Sequence, residues 1–196
     1  MNTNTVVRIA ISGDSRVGKT SLCLRLVNKE LPLTYVTTIG LDLEVKFSPK
    51  HGLKIHYWDL SGNRRYEPLS VFYLKNINIL FVMLVYSLED SDSVIRISEI
   101  YSNYKDVSPS KKFIVVGTHN DSQNQHTSGR DFAEKEGLPH FLVDSKNNKG
   151  IDLLEQYILY IHSQSISEPP KTESLRRICI ENPCLDTNKR DNCIIS

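Results

Sequence analysis

Long apolar runs are missing from this 196-residue chain. The longest, Ile77 to Tyr86, is interrupted by Asn78 and falls far short of the ~20 residues that cross a bilayer. An excess of charge of one sign is missing too. Lys and Arg total 24 against 23 Asp and Glu, so the basic face that nucleic-acid binding needs is not expected. Cysteine is scarce, and of Cys23, Cys179, Cys184 and Cys193 three fall in the last eighteen residues. That spacing is neither a disulfide framework nor a zinc site, and a reduced, cytosolic protein is the simpler expectation. Met1 to Thr5 is short and polar, so no signal peptide is expected. No internal repeat is visible. Apolar residues still make up 39% of the chain, enough for one sizeable core, and one domain plus a tail is expected at this length.

What is present alternates strand and helix patterns. Val6 to Ile11 is rich in β-branched residues and runs into Ser12-Gly13, which predicts a buried strand and a turn. Leu22, Leu24, Leu26 and Val27 fit a short helix ended by Asn28-Lys29-Glu30 and Pro32. Asp42 to Phe47 and Leu53 to Trp58 both alternate, and Ser48 to Gly52 joins them as a hairpin. Ile79 to Val85 and Phe113 to Gly117 are continuous apolar runs, the pattern of strands covered on both faces. His140 to Val143 is a weaker third. Helical spacing recurs at Val94, Ile97, Ile100, Tyr101 and Tyr104, around Phe132 and Ala133, and at Ile151, Leu154, Ile158 and Ile161. Strands alternating with helices imply a mostly parallel sheet with helices on both faces.

Gly13-Asp14-Ser15-Arg16-Val17-Gly18-Lys19-Thr20 satisfies G-x-x-x-x-G-K-[ST], with a strand before it and a helix after it, and Ser21 is counted with it as a binding residue. Glycines let such a backbone wrap tightly, so that its N–H groups point at phosphate oxygens. Lys19 would reach the β- and γ-phosphates, and the Thr20 hydroxyl would hold Mg²⁺, which prefers hard oxygen ligands. Arg16 is a bulky cation in a loop that must hug phosphate. It either adds affinity or points into solvent.

Downstream lie Tyr35-Val36-Thr37-Thr38-Ile39-Gly40-Leu41-Asp42 and, after the hairpin, Trp58-Asp59-Leu60-Ser61-Gly62. With Arg65-Tyr66, Phe72-Tyr73 and Leu84-Val85-Tyr86, these motifs make residues 6–163 resemble a Ras-superfamily small GTPase, closest to the Rab branch. The resemblance implies a P-loop GTPase fold: six strands, mostly parallel, with one antiparallel edge pair. It implies GTP and GDP as ligands with Mg²⁺, and Tyr35 beside the nucleotide. It further implies that Thr38 coordinates the metal when γ-phosphate is present, that Asp59 sits behind the metal, and that the Gly62 N–H bonds the γ-phosphate. A loop held only by γ-phosphate and metal is ordered with GTP and released after hydrolysis. In phosphoryl transfer Lys19 and the Gly62 N–H would stabilise charge.

Three positions depart from the family pattern. Asn63 stands where a Gln would orient the attacking water, and its reach is shorter by roughly 1.5 Å. A misplacement of that size costs on the order of 100-fold, so slow hydrolysis is expected. The alternative is a solvated loop residue. The base-reading motif is Thr118-His119-Asn120-Asp121: Asp121 is kept, and His119 replaces the lysine that packs over the base. The last base loop is Asp144-Ser145-Lys146, where the implied contact is the Ser145 backbone N–H to guanine O6.

A G domain over residues 1–165 and a tail over 166–196 are expected, with a possible short helix at Ser174–Ile180. The tail ends Cys193-Ile194-Ile195-Ser196, a C-a-a-X signal for prenylation of Cys193. One lipid binds membranes marginally, so palmitoylation of Cys184 or Cys179, or weak attraction from Arg176, Arg177, Lys189 and Arg190, is the expected second signal. The resemblance implies an exchange factor, a GTPase-activating protein, effectors on the switch loops, a prenyl-binding chaperone and a monomer on a cytoplasmic membrane face. Against this GTP-dependent traffic switch stands a membrane-tethered scaffold that holds nucleotide weakly or permanently. A small ATP-using kinase is disfavoured, because the sequence has no lid-like arginine cluster.

Overall fold

The computed structural model describes residues 5–108, 111–121 and 126–166. The C-a-a-X signal, the other tail cysteines and the expected short helix at 174–180 lie outside them. Packing separates the chain into a unit ending at Asp152 and a second beginning at Leu153.

In the first unit six strands form one sheet in the order β2-β3-β1-β4-β5-β6. They are β1 (Thr5–Gly13), β2 (Leu41–Ser48), β3 (Leu53–Leu60), β4 (Phe81–Ser87), β5 (Lys112–Thr118) and β6 (His140–Leu142). β2 and β3 pair antiparallel and every other pairing is parallel, as the sequence pattern predicts. β1 and β4 are central and lie between other strands, so both faces must be apolar. Ile9, Ala10 and Ile11 in β1 and Phe81 through Val85 in β4 are all fully buried.

The helices of this unit are α1 (Lys19–Leu26), α2 (Glu67–Asn76), α3 (Asp92–Val107) and α4 (Ser128–Glu136). α1 turns Leu22, Cys23 and Leu26 inward, so Cys23 acts as a small apolar residue and burial pushes its thiol pKa well up. α3 buries Val94, Ile97, Ile100, Tyr101 and Tyr104, the residues whose spacing predicts it. α5 (Ile151–Ile166) spans the start of the second unit, with Leu154, Ile158 and Ile161 buried. No described helix is long and apolar enough to cross a membrane.

Two elements differ from the sequence reading. β4 begins at Phe81 rather than Ile79, because Leu80 N–H bonds the Arg8 carbonyl at 2.7 Å as a lead-in, before the ladder starts. α2 has no counterpart in the periodicity. It buries only Ser70 and Leu74 and leaves Leu69 and Phe72 exposed, so no apolar stripe marks it. Tyr73, its ring tilted against Trp58 with centroids 5.5 Å apart, joins it to the sheet.

Candidate nucleotide site

Parallel strands all end at the same edge of the sheet, and ligands of open α/β sheets gather there. β1 delivers Gly13 and the phosphate loop to that edge, β3 delivers Asp59, β5 delivers Thr118, and β6 leads to Asp144. The register fixes their relation: Ile11 lies opposite Asp59 on one side and Met83 on the other.

A cavity of about 170 Å³ opens there, lined by Ser15, Arg16, Gly18, Lys19, Thr20, Ser21, Tyr35, Thr37, Thr38, Ser61, Gly62 and His119. A larger, open depression of about 840 Å³ runs along α3 past Arg64, Glu67, Ile95 and Phe132. Its buried cation, Arg96, is already paired with Glu67 at 2.7 Å and Glu99 at 3.0 Å. The buried cation of the smaller cavity, Lys19, has no ion pair within 4 Å among the described residues.

Gly13, at φ 153°, sits where a Cβ would overlap the Val85 carbonyl, so the loop can leave β1 only through glycine. Lys19 folds back and donates to the Asp14 carbonyl at 2.5 Å. Burial lowers its pKa, while the carboxylates of Asp59 and Asp14 pull it back up. A buried ammonium held this way is set to receive an anion. Val17 is buried under the loop. Arg16 is exposed in a left-handed conformation at φ 64°, its guanidinium 5.6 Å from the Tyr35 ring centre. It therefore lines the cavity mouth while facing solvent.

Three oxygens converge beside Lys19. Thr20 Oγ1 donates to Asp59 Oδ2 at 2.6 Å and lies 3.1 Å from Thr38 Oγ1, which is 3.3 Å from the same carboxylate oxygen. Asp59 is 1% exposed, and its Oδ1 has no partner among the described residues. Burial raises its pKa, against the Thr20 hydrogen bond, the Lys19 charge and the Thr38 hydrogen bond. No cluster of three His, Cys, Asp or Glu exists among the described residues. An all-oxygen set of two hydroxyls and one orphaned carboxylate oxygen fits Mg²⁺, which keeps several waters and takes few protein ligands.

Gly62 meets the phosphate loop directly: a Cβ there would overlap the Ser15 nitrogen and the Asp14 carbonyl carbon. Asn63 lies outside the cavity lining. Its Oδ1 accepts the Arg65 N–H at 3.0 Å, capping the short 3₁₀ turn Arg64–Tyr66, and its own N–H reaches Ser61 Oγ at 3.3 Å.

The base-side candidates stand apart from the phosphate cavity, His119 excepted. Thr118 is a strut, its hydroxyl 2.6 Å from the Val17 carbonyl and 2.9 Å from that of Tyr86. It ties β5 to the phosphate loop. His119, at φ 57°, places Nδ1 2.9 Å from Ser87 Oγ. Asp121 is exposed in the turn after β5, and a further loop leaves the neighbouring strand β6. In that loop Ser145 and Lys146 turn their carbonyls to Arg25 on α1, at 2.6 and 3.3 Å.

Asp144 resolves into a loop cap. Its carboxylate accepts the Asn147 N–H at 3.0 Å and the Asn147 side-chain amide at 2.6 Å. Burial pushes its pKa up, but these bonds, the Lys146 N–H and the Lys149 charge outweigh it and leave it lowered. Asp144→Ala should cost about 2 kcal/mol, since each stranded donor costs ~1–3 kcal/mol. The sign in pH follows from the lowered pKa: the contribution is complete above the ordinary carboxylate value and is lost as pH falls through the folded one. Melting curves of the two proteins should therefore differ at neutral pH and converge in acid.

Arg25 and Asn147 carry no sequence signal of their own. The sequence itself has relatives. A profile described as Ras family matches residues 8–161. Ras-related protein SEC4 of Candida albicans is 25% identical over 154 residues, covering 75% of this chain and 72% of that protein. Ras-related protein RABE1e of Arabidopsis thaliana is 24% identical over 205 aligned positions, covering 96% and 92%. GTP-binding protein ypt2 of Schizosaccharomyces pombe is 24% identical over 154 residues, covering 75% and 76%. The phosphate loop, the oxygen cluster behind it and a match spanning most of the chain lead to one conclusion: this protein belongs to the Ras family of small GTPases, near the Rab branch.

Proposed function

We propose that the chain is a GTP/GDP switch of membrane traffic that hydrolyses GTP slowly. The observation that carries this reading is the convergence of Lys19, Thr20, Thr38 and Gly62 on one cavity, with Asp59 holding both threonine hydroxyls from behind. Backbone amides from Gly13 to Thr20, those of Asp14 and Val17 among them, cradle the phosphates, with Ser15, Gly18 and Ser21 in the wall. Lys19 and the Gly62 N–H neutralise charge that develops during transfer. Thr20 and Thr38 would hold Mg²⁺, with Asp59 behind, and the ion would supply positive charge to the phosphate oxygens. Tyr35 and Arg16 flank the mouth. Asp121 accepts from the guanine edge, the Ser145 N–H reaches O6, and His119 and Lys146 flank the base. Of the nucleotide, Thr38 and Gly62 would meet only the terminal phosphate and its metal, so their loops present effectors with a GTP-dependent surface.

The domain ends near residue 165. The tail carries the complex to a cytoplasmic membrane face through a prenyl group on Cys193, a prenyl-binding chaperone supplies the cytosolic pool, and the working unit is a monomer. Exchange and GTPase-activating factors set the nucleotide state.

Asn63 supports slow turnover, because its amide oxygen is committed to the Arg65 N–H. The same commitment favours the second reading, a nucleotide-holding scaffold without useful hydrolysis. Asn63→Gln separates them. The longer amide should raise single-turnover hydrolysis on the order of 10–100-fold, while loss of the cap costs about 1 kcal/mol. An unchanged rate removes Asn63 as the limiting residue. Chromatography of the nucleotide released from purified protein adds the other half: GDP marks a working switch, GTP a failed one, and neither leaves the scaffold.

A further inference from the structure

Arg25 sits in the last turn of α1 (Lys19–Leu26), the helix whose first residue is the phosphate-loop lysine. Its Nε donates to the Ser145 carbonyl at 2.6 Å and its Nη2 approaches the Lys146 carbonyl at 3.3 Å. A guanidinium is a rigid, planar fork, so two consecutive carbonyls held by one fork have little freedom to rotate. The rest of the loop is pinned from inside. The Asp144 N–H bonds the Lys149 carbonyl at 2.9 Å, the Lys149 N–H returns the bond at 3.0 Å, and the Asp144 carboxylate holds Asn147. The Ser145 amide thus lies between a fixed peptide before it and a carbonyl clamped by Arg25 after it. No other described side chain is seen to hold those two carbonyls.

We infer that Arg25 is a positioning residue for base recognition: its fork aims the Ser145 N–H at guanine O6 and mechanically joins the base loop to the helix that opens the phosphate site. The inference rests on the guanine-nucleotide reading above. Arg25 touches neither phosphate nor base in this role, and its effect belongs to one atom of the ligand. Removing Arg25 releases the Ser145 peptide and weakens the O6 contact, while the phosphate contacts and the Asp121 contact to the N1–H and exocyclic amine are left in place.

The test uses the full-length protein, stripped of nucleotide and titrated in Mg²⁺ with GDP and with 6-thioguanosine diphosphate. The sulfur analogue keeps the N1–H and exocyclic amine but offers a weak acceptor at position 6. The parent should prefer GDP on the order of tenfold, the worth of one hydrogen bond. Arg25→Ala should lose roughly tenfold in GDP affinity and far less for the thio analogue, so that the preference collapses. Arg25→Lys keeps charge and helix but not the fork, and should lose most of the preference as well, which guards against a misfolded alanine variant. Equal losses on both nucleotides, or an undiminished preference in both variants, overturn the inference and leave the nucleotide reading standing. A parent with no saturable GDP uptake overturns the nucleotide reading itself and Arg25's role with it.

Discussion

Lys19→Ala loses nucleotide affinity by at least roughly 100-fold, the worth of two charge-assisted hydrogen bonds of ~1.5–3 kcal/mol each. Lys19 is 6% exposed, and among the described residues its ammonium is held by the Asp14 carbonyl and the nearby carboxylates. Burial works against that charge, so the wild-type side chain is costly until an anion arrives. Its removal should therefore leave the nucleotide-free protein within a few degrees of the parent melting temperature. Asp59 keeps the Thr20 and Thr38 hydroxyls as partners. Fluorescence titration with a labelled guanine nucleotide, beside a melting curve, reads both outcomes. Parent-like affinity would mean that the loop binds phosphate without its lysine. A large drop in melting temperature would mean that Lys19 is structural.

Gly62→Ala acts on the triphosphate state alone. The added methyl would overlap Ser15 and Asp14 backbone atoms, and backbone cannot swing aside as a flexible side chain can. The chain after β3 must then lift off the phosphate loop, carrying away the N–H that meets the terminal phosphate. Diphosphate affinity should change little, because Lys19, Thr20 and the loop amides are untouched. Affinity for a non-hydrolysable triphosphate and single-turnover hydrolysis should each fall on the order of 100-fold, the effect of an ångström-scale misplacement at a reacting centre. Competition titration with both nucleotides gives the ratio. Equal losses for diphosphate and triphosphate would place Gly62 in general packing instead.

The parts of the fold and site that the sequence declares are those that one local pattern determines. Strands β4 and β5 are buried on both faces, so their apolar runs are continuous, and β1 shows itself by its β-branched residues leading into the glycine turn. The hairpin β2–β3 alternates with period two. The phosphate loop binds through its backbone, so glycine positions and one lysine suffice to mark it. Asp59 and Thr38 become meaningful once their distance from that loop along the chain is counted, and the sheet register then brings them together.

What stays hidden depends on partners distant in sequence. Helix α2 packs through Leu74 and Tyr73 while exposing Leu69 and Phe72, so its apolar residues do not fall on one face. Thr118 reads as a base contact, yet its hydroxyl is spent on Val17 and Tyr86. Asp144 reads as a misplaced charge until Asn147 is seen folding onto it. The fork of Arg25 spans 120 residues of sequence to reach Ser145, and no spacing rule anticipates it.

The claim on which the account turns is that one site, between the phosphate loop and the ends of β5 and β6, takes a magnesium-bound guanine nucleotide. Equilibrium titration of the nucleotide-free, full-length chain with labelled GDP and ADP, each with Mg²⁺ and with excess chelator, addresses it directly. The account predicts saturable one-to-one uptake of GDP, weakened by chelation, and no comparable uptake of ADP. Equal uptake of both nucleotides, or uptake of neither, would contradict it.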